Sequence, residues 1–459
     1  MPELPTLFLR RMQGFLGQEY PAYLDCLRQA PTAGLRVNTL KVSPTEFAGI
    51  APFSLEPIPW CPEGFWLGNP DKHGKHPYHA AGLYYLQDPS AMAVTLALDP
   101  RPGEKILDLA AAPGGKATHI ASRLGGQGLL VANEIHPQRA WELAQNLERW
   151  GVQNTVITRE APKRLAVALS GFFDKVLLDA PCSGEGMFRK SEAARRDWSV
   201  VAVQSCTLRQ AAILEQAGRL VRPGGGLVYS TCTFSPEENE GVVAEFLRRH
   251  PEFELAPIAA IPGAASGRPD WLPDQTISPA LELTLRLWPQ HGMGEGHFIA
   301  RMQKDSPISP RSPGARQPPR LPAQAEQLFQ AFINQALDMQ AERLTPEVYG
   351  VYLYQVPADY PQVDGLRVVH PGWWLGTLKT NRFEPAHALA LALRPDQARQ
   401  VIDLHAEDAS LLAYLRGEPV RGSAHSGWVL VLVDGYPLGW GKSSRGEVKN
   451  YYPKGLRWS

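Results

Sequence analysis

With 459 residues, 44% of them apolar, the chain is too long for one ordinary core and too hydrophobic for disorder, so two or three folded domains are expected. Its 46 basic and 46 acidic residues cancel, which excludes a uniformly cationic nucleic-acid coat and leaves any basic surface to local clustering. Five cysteines at Cys26, Cys61, Cys182, Cys206 and Cys232, with no C-x-x-C pair, argue against a zinc site or redox dithiol and for free thiols in a reducing cytosol. The amino end, Met1-Pro-Glu-Leu-Pro5, carries no charged leader, and no apolar run approaches membrane-spanning length. A soluble cytoplasmic protein with no metal and no membrane partner is expected.

A short helical signal surrounds Leu7 to Leu16, and Ala33 to Lys41 reads as a turn into a strand carrying two cations, Arg36 and Lys41, either as solvated charges on an open face or as RNA contacts. Between 60 and 90, aromatics from Trp60 to Tyr85 alternate with His73, His76 and His79; this composition suits base stacking, though buried packing is the commoner use, and the histidines lack a metal spacing. From about 90 to 303 the pattern alternates. Apolar runs at Lys105–Leu109, Gly128–Ala132, Thr155–Thr158, Lys175–Asp179 and Gly226–Ser230 are separated by helical stretches such as His136 to Trp150 and Val200 to Leu220. Such alternation predicts an α/β domain with a doubly wound, mainly parallel sheet, whose ligands collect where the strands end. A hairpin of Leu283–Pro289 and His297–Met302 closes it.

Residues 304 to 322, rich in Ser, Pro, Arg and Gly, cannot bury a core and read as a linker. Beyond it a helix is expected from Ala323 to Leu344, strands near Val351–Val356 and Gly365–His370, and a helix over Pro385–Leu393. Glycine-punctuated strands follow from Ser426 to Lys442, and Lys449 to Arg457 forms a cationic, aromatic tail suited to RNA.

Three stretches carry chemistry. Asp108-Leu-Ala-Ala-Ala-Pro-Gly-Gly-Lys116 follows the first core strand and opens a helix whose free amides can hold a carboxylate. Glu134, ending the second strand, suits both hydroxyls of a ribose. Without Gly-x-Gly-x-x-Gly a dinucleotide is the poorer fit, and S-adenosylmethionine supplies both a carboxylate and a ribose. The strands ending at Asp179-Ala-Pro-Cys182 and Ser230-Thr-Cys232 each deliver a thiol to one sheet edge, where helix-opening donors can lower its pKa. Cys26, Cys61 and Cys206 read as inert structural thiols.

Taken together, Tyr85–Met92, Asp108–Lys116, Asp179–Lys190, Tyr229–Glu240 and Phe298–Arg301 resemble the Nop/Sun family of RNA 5-methylcytosine methyltransferases. Gly34–Thr39 and Asn450–Arg457 are similar to its bacterial RsmF-type branch, so the resemblance spans nearly the whole chain. It implies a Rossmann-like methyltransferase core at 86–303 behind a small α+β RNA-binding domain at 1–85. After the linker it implies an α+β region at 323–384 and a PUA-like β-barrel RNA-binding domain at 385–459. It implies Cys232 as nucleophile, Cys182 as the group assisting release, Asp179 on the cytosine ring and Lys190 as a supporting cation. The cofactor would meet Ala110, Ala111, Ala112, Pro113, Gly114, Gly115, Lys116, Glu134 and Asp179. Where relatives often have Asp-Gly after the third strand, Ala161-Pro162 stand here, so Glu160 and the Ala161 backbone are expected at the adenine instead. The implied substrate is 16S rRNA or the small ribosomal subunit, with DNA not a partner; a monomer is the default expectation.

The chemistry needs these residue types. Carbon 5 of cytosine is a poor nucleophile until a thiolate adds at carbon 6, and an acid at ring nitrogen 3, with its pKa raised in a closed site, would take up the charge. A second thiolate then removes the carbon 5 proton, and the target base must leave its stack. Competing expectations are a tRNA substrate, a noncatalytic ribosome-assembly factor, a DNA cytosine enzyme using the Pro-Cys thiol as nucleophile, and a small-molecule methyltransferase.

Overall fold

The computed structural model describes residues 4–68, 70–273, 278–305, 319–338, 344–361, 365–422 and 425–458. Most of the expected linker, 306–318, lies outside the described residues. None of the helices described is long and apolar enough to cross a membrane.

Helices α1 (Thr6–Leu16), α2 (Tyr20–Leu27), α3 (Pro44–Ile50) and α4 (Pro77–Ala80) accompany strands β1 (Ala33–Val37), β2 (Leu55–Ile58), β3 (Cys61–Leu67) and β4 (Tyr84–Leu86). The strands form an antiparallel sheet in the order β2-β3-β1-β4. Helix α1 buries Phe8, Met12 and Leu16, one residue per turn along a single face. That face packs on Phe188 and Trp198 of the next module, so the apolar stripe seats the amino end on it.

The two cations of β1 and its turn are neither solvated nor free for RNA. Arg36 is fully buried, donating to Gln87 Oε1 at 2.9 Å and Thr118 Oγ1 at 2.7 Å, with its guanidinium over Trp150. Lys41 Nζ donates to the carbonyls of Ala81 and Arg149. Lys41 joins Ala81 of its own module to Arg149 of the next and Arg36 reaches Gln87 and Thr118, so fixed acceptors replace water at these contacts, while Arg36 Nη1 is left without one. Gly82 makes the close approach possible: at φ +71°, a Cβ there would lie 1.9 Å from the Arg149 carbonyl oxygen.

The second module contains α5 (Pro89–Leu98), β5 (Lys105–Asp108), α6 (Gly115–Leu124), β6 (Leu129–Asn133), α7 (Pro137–Trp150), β7 (Thr155–Thr158), α8 (Pro162–Ala168) and β8 (Phe173–Asp179). It continues through α9 (Glu192–Asp197), α10 (Val200–Leu220), β9 (Val221–Thr231), α11 (Glu240–Arg249), β10 (Phe253–Leu255), β11 (Ala265–Ser266), β12 (Leu285–Leu287) and β13 (His297–Lys304). Proline at the first turn opens α5, α7 and α8, where its missing N–H costs nothing. Helix α7 buries Ala140, Leu143, Ala144, Leu147 and Trp150 at helical spacing and stops at Gly151 in the left-handed region. Strand β6 is buried at every position, as a central parallel strand covered on both faces must be.

The remaining chain gives α12 (Ala323–Ala336), β14 (Pro346–Tyr349), β15 (Tyr352–Gln355), β16 (Val368–His370), β17 (Trp373–Lys379), β18 (Arg382–Pro385) and α13 (His387–Ala392). It ends with β19 (Val401–Leu404), α14 (Ala409–Arg416), β20 (Val420–Arg421), β21 (Gly427–Val433), β22 (Tyr436–Ser444) and β23 (Glu447–Asn450). One sheet runs β14-β15-β17-β18 and another β19-β21-β22-β23-β20. Helix α12 is shorter than the expected Ala323–Leu344 because Leu337 turns extended and bridges to Ala398; 339–343 lie outside the described residues.

The large sheet has the order β11-β12-β13-β9-β8-β5-β6-β7-β16, with β10 paired to β13. Strands β5 to β9 run parallel, while β13 joins β9 antiparallel. The expected strand at 365–370 does not stay with its neighbours in sequence: β16 pairs antiparallel with β7 and extends the core sheet. From β5 the chain winds outward through β6 and β7, then returns to place β8 and β9 on the other side. The reversal falls between β5 and β8, which fixes where a ligand crevice opens.

Candidate active site

The tips of β5 and β8 carry Asp108, opposite Leu177, and Asp179, two residues further along the neighbouring strand at that reversal. The loop after β5 ends at Gly114, whose φ of +117° starts α6, and Lys116 in the first turn of α6 reaches across to Asp179 Oδ2 at 2.6 Å. Ser230, at the end of β9, donates to Asp179 Oδ1 at 2.7 Å. Burial would raise the Asp179 carboxyl, but the Lys116 ammonium outweighs it and holds the group below the usual carboxylate range. The rise expected from sequence is therefore absent while Lys116 is paired. Burial works against the Lys116 charge in turn, and Asp179 overrides it to raise the lysine.

Asp108 behaves differently. Its side chain is buried, neither carboxylate oxygen has a hydrogen-bond partner, and burial pushes its pKa up to about 7.

Cys182 and Cys232 come together at 3.4 Å between sulfurs, although they are 50 residues apart in sequence. The two loops that carry them are bolted reciprocally. Glu238, beyond β9, accepts from Ser183 N at 2.9 Å and from Gln210 Nε2 at 2.8 Å, gripping the β8 loop. Glu185, beyond β8, accepts from Phe234 N and Ser235 Oγ, both at 2.8 Å, gripping the β9 loop. Gly186 N adds a bond to the Cys232 carbonyl at 2.8 Å. The contact with Cys232, then burial, pushes the Cys182 thiol well above its ordinary value. Glu185 and Glu238 stand inside the cysteine motifs, but no local pattern marks them as braces.

Lys190 sits at the rim. Its Nζ lies 2.9 Å from Asp88 Oδ2 and 3.7 Å from Glu295 Oε1, so the expected supporting cation is already held by two acids. Arg189 pairs with Glu295 at 2.7 Å and with Thr32 Oγ1 at 3.0 Å, tying the same loop to the amino-terminal module.

On the far side, Glu134 directly follows β6 and is buried, accepting from His136 N at 2.9 Å and lying 3.3 Å from Arg139. Asn133 is the residue sequence reading passed over: its amide donates to the Leu109 and Glu160 carbonyls and its oxygen accepts from Glu160 N, lacing three strand tips together. Glu160 is buried and engaged, accepting from Arg367 N at 2.7 Å and pairing with Arg164 at 3.0 Å. Its carboxylate thus secures β16. Cys61 is buried as expected, in company not foreseen: its sulfur and ligand atoms of Glu63 and His119 all lie within 4.8 Å, with His119 Nε2 bonded to Glu63 at 2.6 Å.

Strand order and the glycine loop before α6 are those of a Rossmann-like methyltransferase, a class whose methyl donor is S-adenosylmethionine. An unpaired buried carboxylate beside a free helix start suits a donor that carries both an ammonium and a carboxylate. Family models match along the chain: the N-terminal domain of 16S rRNA methyltransferase RsmF at 4–89, 16S rRNA methyltransferase RsmB/F at 95–303, the RsmF first C-terminal domain at 331–393 and the RsmF PUA domain at 401–458. The ribosomal RNA small subunit methyltransferase F of Aeromonas hydrophila is 34% identical over 477 residues, covering 99% of this chain and 97% of the relative. That of Citrobacter koseri is 32% identical, covering 98% and 96%. The crystal structure of a methyltransferase homologue from Pyrococcus horikoshii is 32% identical with a TM-score of 0.59, covering 65% of this chain and 95% of its own. The chain belongs to the RsmF family of 16S rRNA methyltransferases.

Proposed function

We propose that this enzyme methylates carbon 5 of a cytosine in 16S rRNA through a covalent adduct. The observation that carries the reading is the pair of thiols, 3.4 Å apart at the tips of adjacent parallel strands and next to Asp179. Cys232 adds to carbon 6, Asp179 meets ring nitrogen 3, and Cys182, after its resting thiol gives its own proton to solvent, takes the carbon 5 proton as a thiolate following methylation. The Lys116 pairing keeps Asp179 ionised at rest, and because neutral cytosine carries no proton on ring nitrogen 3, the proton shared there enters from solvent as the base binds. Lys190 with Asp88 supports the rim. S-adenosylmethionine supplies an electrophilic methyl group; Ala110 to Lys116, Glu134, the Glu160-Ala161 backbone and Asp179 would hold it, with Asp108 facing its ammonium. Residues 1–85 and 385–459 bind RNA around the core, and the protein works in the cytoplasm as a monomer.

The test is transfer of labelled methyl to small ribosomal subunits, naked 16S rRNA and bulk tRNA, with the modified positions mapped. Label at carbon 5 of cytosine in small-subunit RNA is expected. Label in tRNA alone would keep the chemistry and replace the substrate, and bound cofactor with no transfer would favour an assembly factor. Cys232→Ala is expected to abolish transfer, by at least about a thousandfold for loss of a covalent nucleophile. Cys182→Ala is expected to leave protein attached to RNA on a denaturing gel; a clean gel with Cys232 and cofactor intact would remove Cys182 from the release step.

A further inference from the structure

A cavity of about 190 Å³ opens where three parts of the chain meet. Helix α4 gives it His79, the end of α7 gives Glu148 and Arg149, and α13 with the carboxyl end gives His387, Tyr452 and Trp458. A cavity of roughly 150 Å³ suffices for benzene, so a group of that size fits. The cofactor and target-base roles above use none of these residues.

The charge of the cavity is one-sided. The Arg149 guanidinium carries several N–H donors, yet among the described residues the only acceptor its side chain meets is Asn146 Oδ1, at 2.6 Å, and no acid there pairs with it. The groups whose charge reaches it are Tyr85, Tyr452 and Tyr84. Glu148 is its neighbour in the chain but lies 3.2 Å from His370 Nδ1, and burial raises its carboxyl to about 8, so at neutral pH it keeps its proton. Burial, with Arg149 adding to it, pulls His79 down to about 3; burial, with Lys41 adding to it, does the same to His387. Both rings are neutral and can present an N–H to an anion by choice of tautomer. The lining thus holds an unpaired cation, neutral donors and no ionised acid, while Lys75 and Arg457 stand exposed next in the chain to lining residues.

This cavity neighbours the cofactor loop. Asn146, which takes the Arg149 bond, donates in turn to the Pro113 carbonyl at 2.6 Å, and the charges of Arg149 and Lys116 both act on Tyr85. We propose that the cavity seats a phosphate group of the RNA substrate on Arg149, with the flanking base lying on the half-buried Trp458. The inference rests on 16S rRNA as the substrate. A guanidinium with free donors offers phosphate oxygens parallel charge-assisted bonds. An aromatic ring beside it suits single-stranded RNA, because every nucleotide brings both a charge and a π-face. RNA is also the anion that this enzyme has to hold next to its crevice.

The experiment titrates the full-length protein against labelled naked 16S rRNA at a series of salt concentrations. Arg149→Gln removes the charge and keeps a donor for Asn146. Its affinity is expected to fall about tenfold or more, and its log–log salt slope to drop by about 0.7 to 0.9, one phosphate contact. Trp458→Ala is expected to weaken binding about fivefold or more with the parent's slope. Arg149→Gln with the parent's affinity overturns the proposal, and so does weaker binding with an unaltered slope, which would make Arg149 a structural residue. Where that variant misfolds and loses S-adenosylmethionine, a Trp458→Ala affinity equal to the parent's overturns the proposal instead. Calorimetry with inorganic phosphate separates the two sources of the anion: phosphate bound by the parent and lost in Arg149→Gln, with RNA binding unchanged, assigns the cavity to a free anion and overturns RNA docking. A parent that binds no 16S rRNA overturns the substrate reading itself, whatever the variants do.

Discussion

Asp108 pairs with nothing although it is buried, and that has a consequence in the folded protein alone. Its carboxyl, ordinarily at 3.8, sits at about 7 in the fold. The folded state therefore keeps the proton after the unfolded chain has released it, and stability from this group declines as pH rises from about 4 through about 7. Asp108→Asn should remove that decline: the stability of the parent, relative to the variant, should fall between pH 4 and pH 7, by about 1.4 kcal/mol for each pH unit that separates the unfolded and folded pKa values. Glu148 and Glu238, also raised by burial, titrate alike in both proteins and cancel in the difference. Thermal melts across that range decide it, and a constant offset at every pH would mean Asp108 is ionised in the fold. At this scale the sequence was informative where a strand ran directly into chemistry: Asp179, Cys182 and Cys232 each stand at a strand tip. It was silent on Glu185 and Glu238, because each grips a loop that is distant in sequence and leaves no trace in either local pattern.

Among the elements, the core strands β5 to β9 were legible because continuous apolar runs separated by amphipathic helices have few other ways to fold. Strand β16 was not assignable: three residues carry no alternation to say which sheet they join, and sequence order pointed to the wrong one. Its placement gives Glu160 a structural duty in addition to the proposed place of its backbone near the adenine. The carboxylate takes Arg367 N at 2.7 Å, while Arg159 N donates to the Arg367 carbonyl at 2.8 Å, so the edge pairing is anchored at one acid. Glu160→Ala removes a charge-assisted bond and should cost about 1.5–3 kcal/mol, concentrated at this edge. Hydrogen exchange is expected to accelerate at Arg367 to His370 and at Arg159 while β5 and β6 stay protected. Unchanged exchange across 365–370 would show that β16 holds without Glu160, and its carboxylate would then be free for the cofactor.

Across the whole molecule, zero net charge has to be reconciled with an RNA substrate. Arg36 and Lys41, the amino-terminal cations that sequence offered for this, are consumed in gluing β1 and its turn to α6 and α7, since a strand's pattern does not say whether its polar face meets water or another module. The carboxyl-terminal sheet keeps its cations outside. Lys449 and Lys454 are exposed and Lys449 lies over the half-buried Tyr451 ring, an arrangement that offers phosphates a charge, while Lys442 covers Trp428, a core side chain. Phosphate contacts release counterions, so each one lost should lower the salt dependence of RNA binding by about 0.7 to 0.9 in log–log slope. A double substitution of Lys449→Glu and Lys454→Glu is thus expected to weaken binding to 16S rRNA and reduce the slope by about 1.4 to 1.8 if both touch phosphate, with cofactor affinity unchanged because neither residue borders the crevice between β5 and β8. Titrations against labelled RNA at a series of salt concentrations measure this. Weaker binding with an unaltered slope would assign the tail a shape or stacking role, and unaltered binding would move the RNA footing off this sheet altogether.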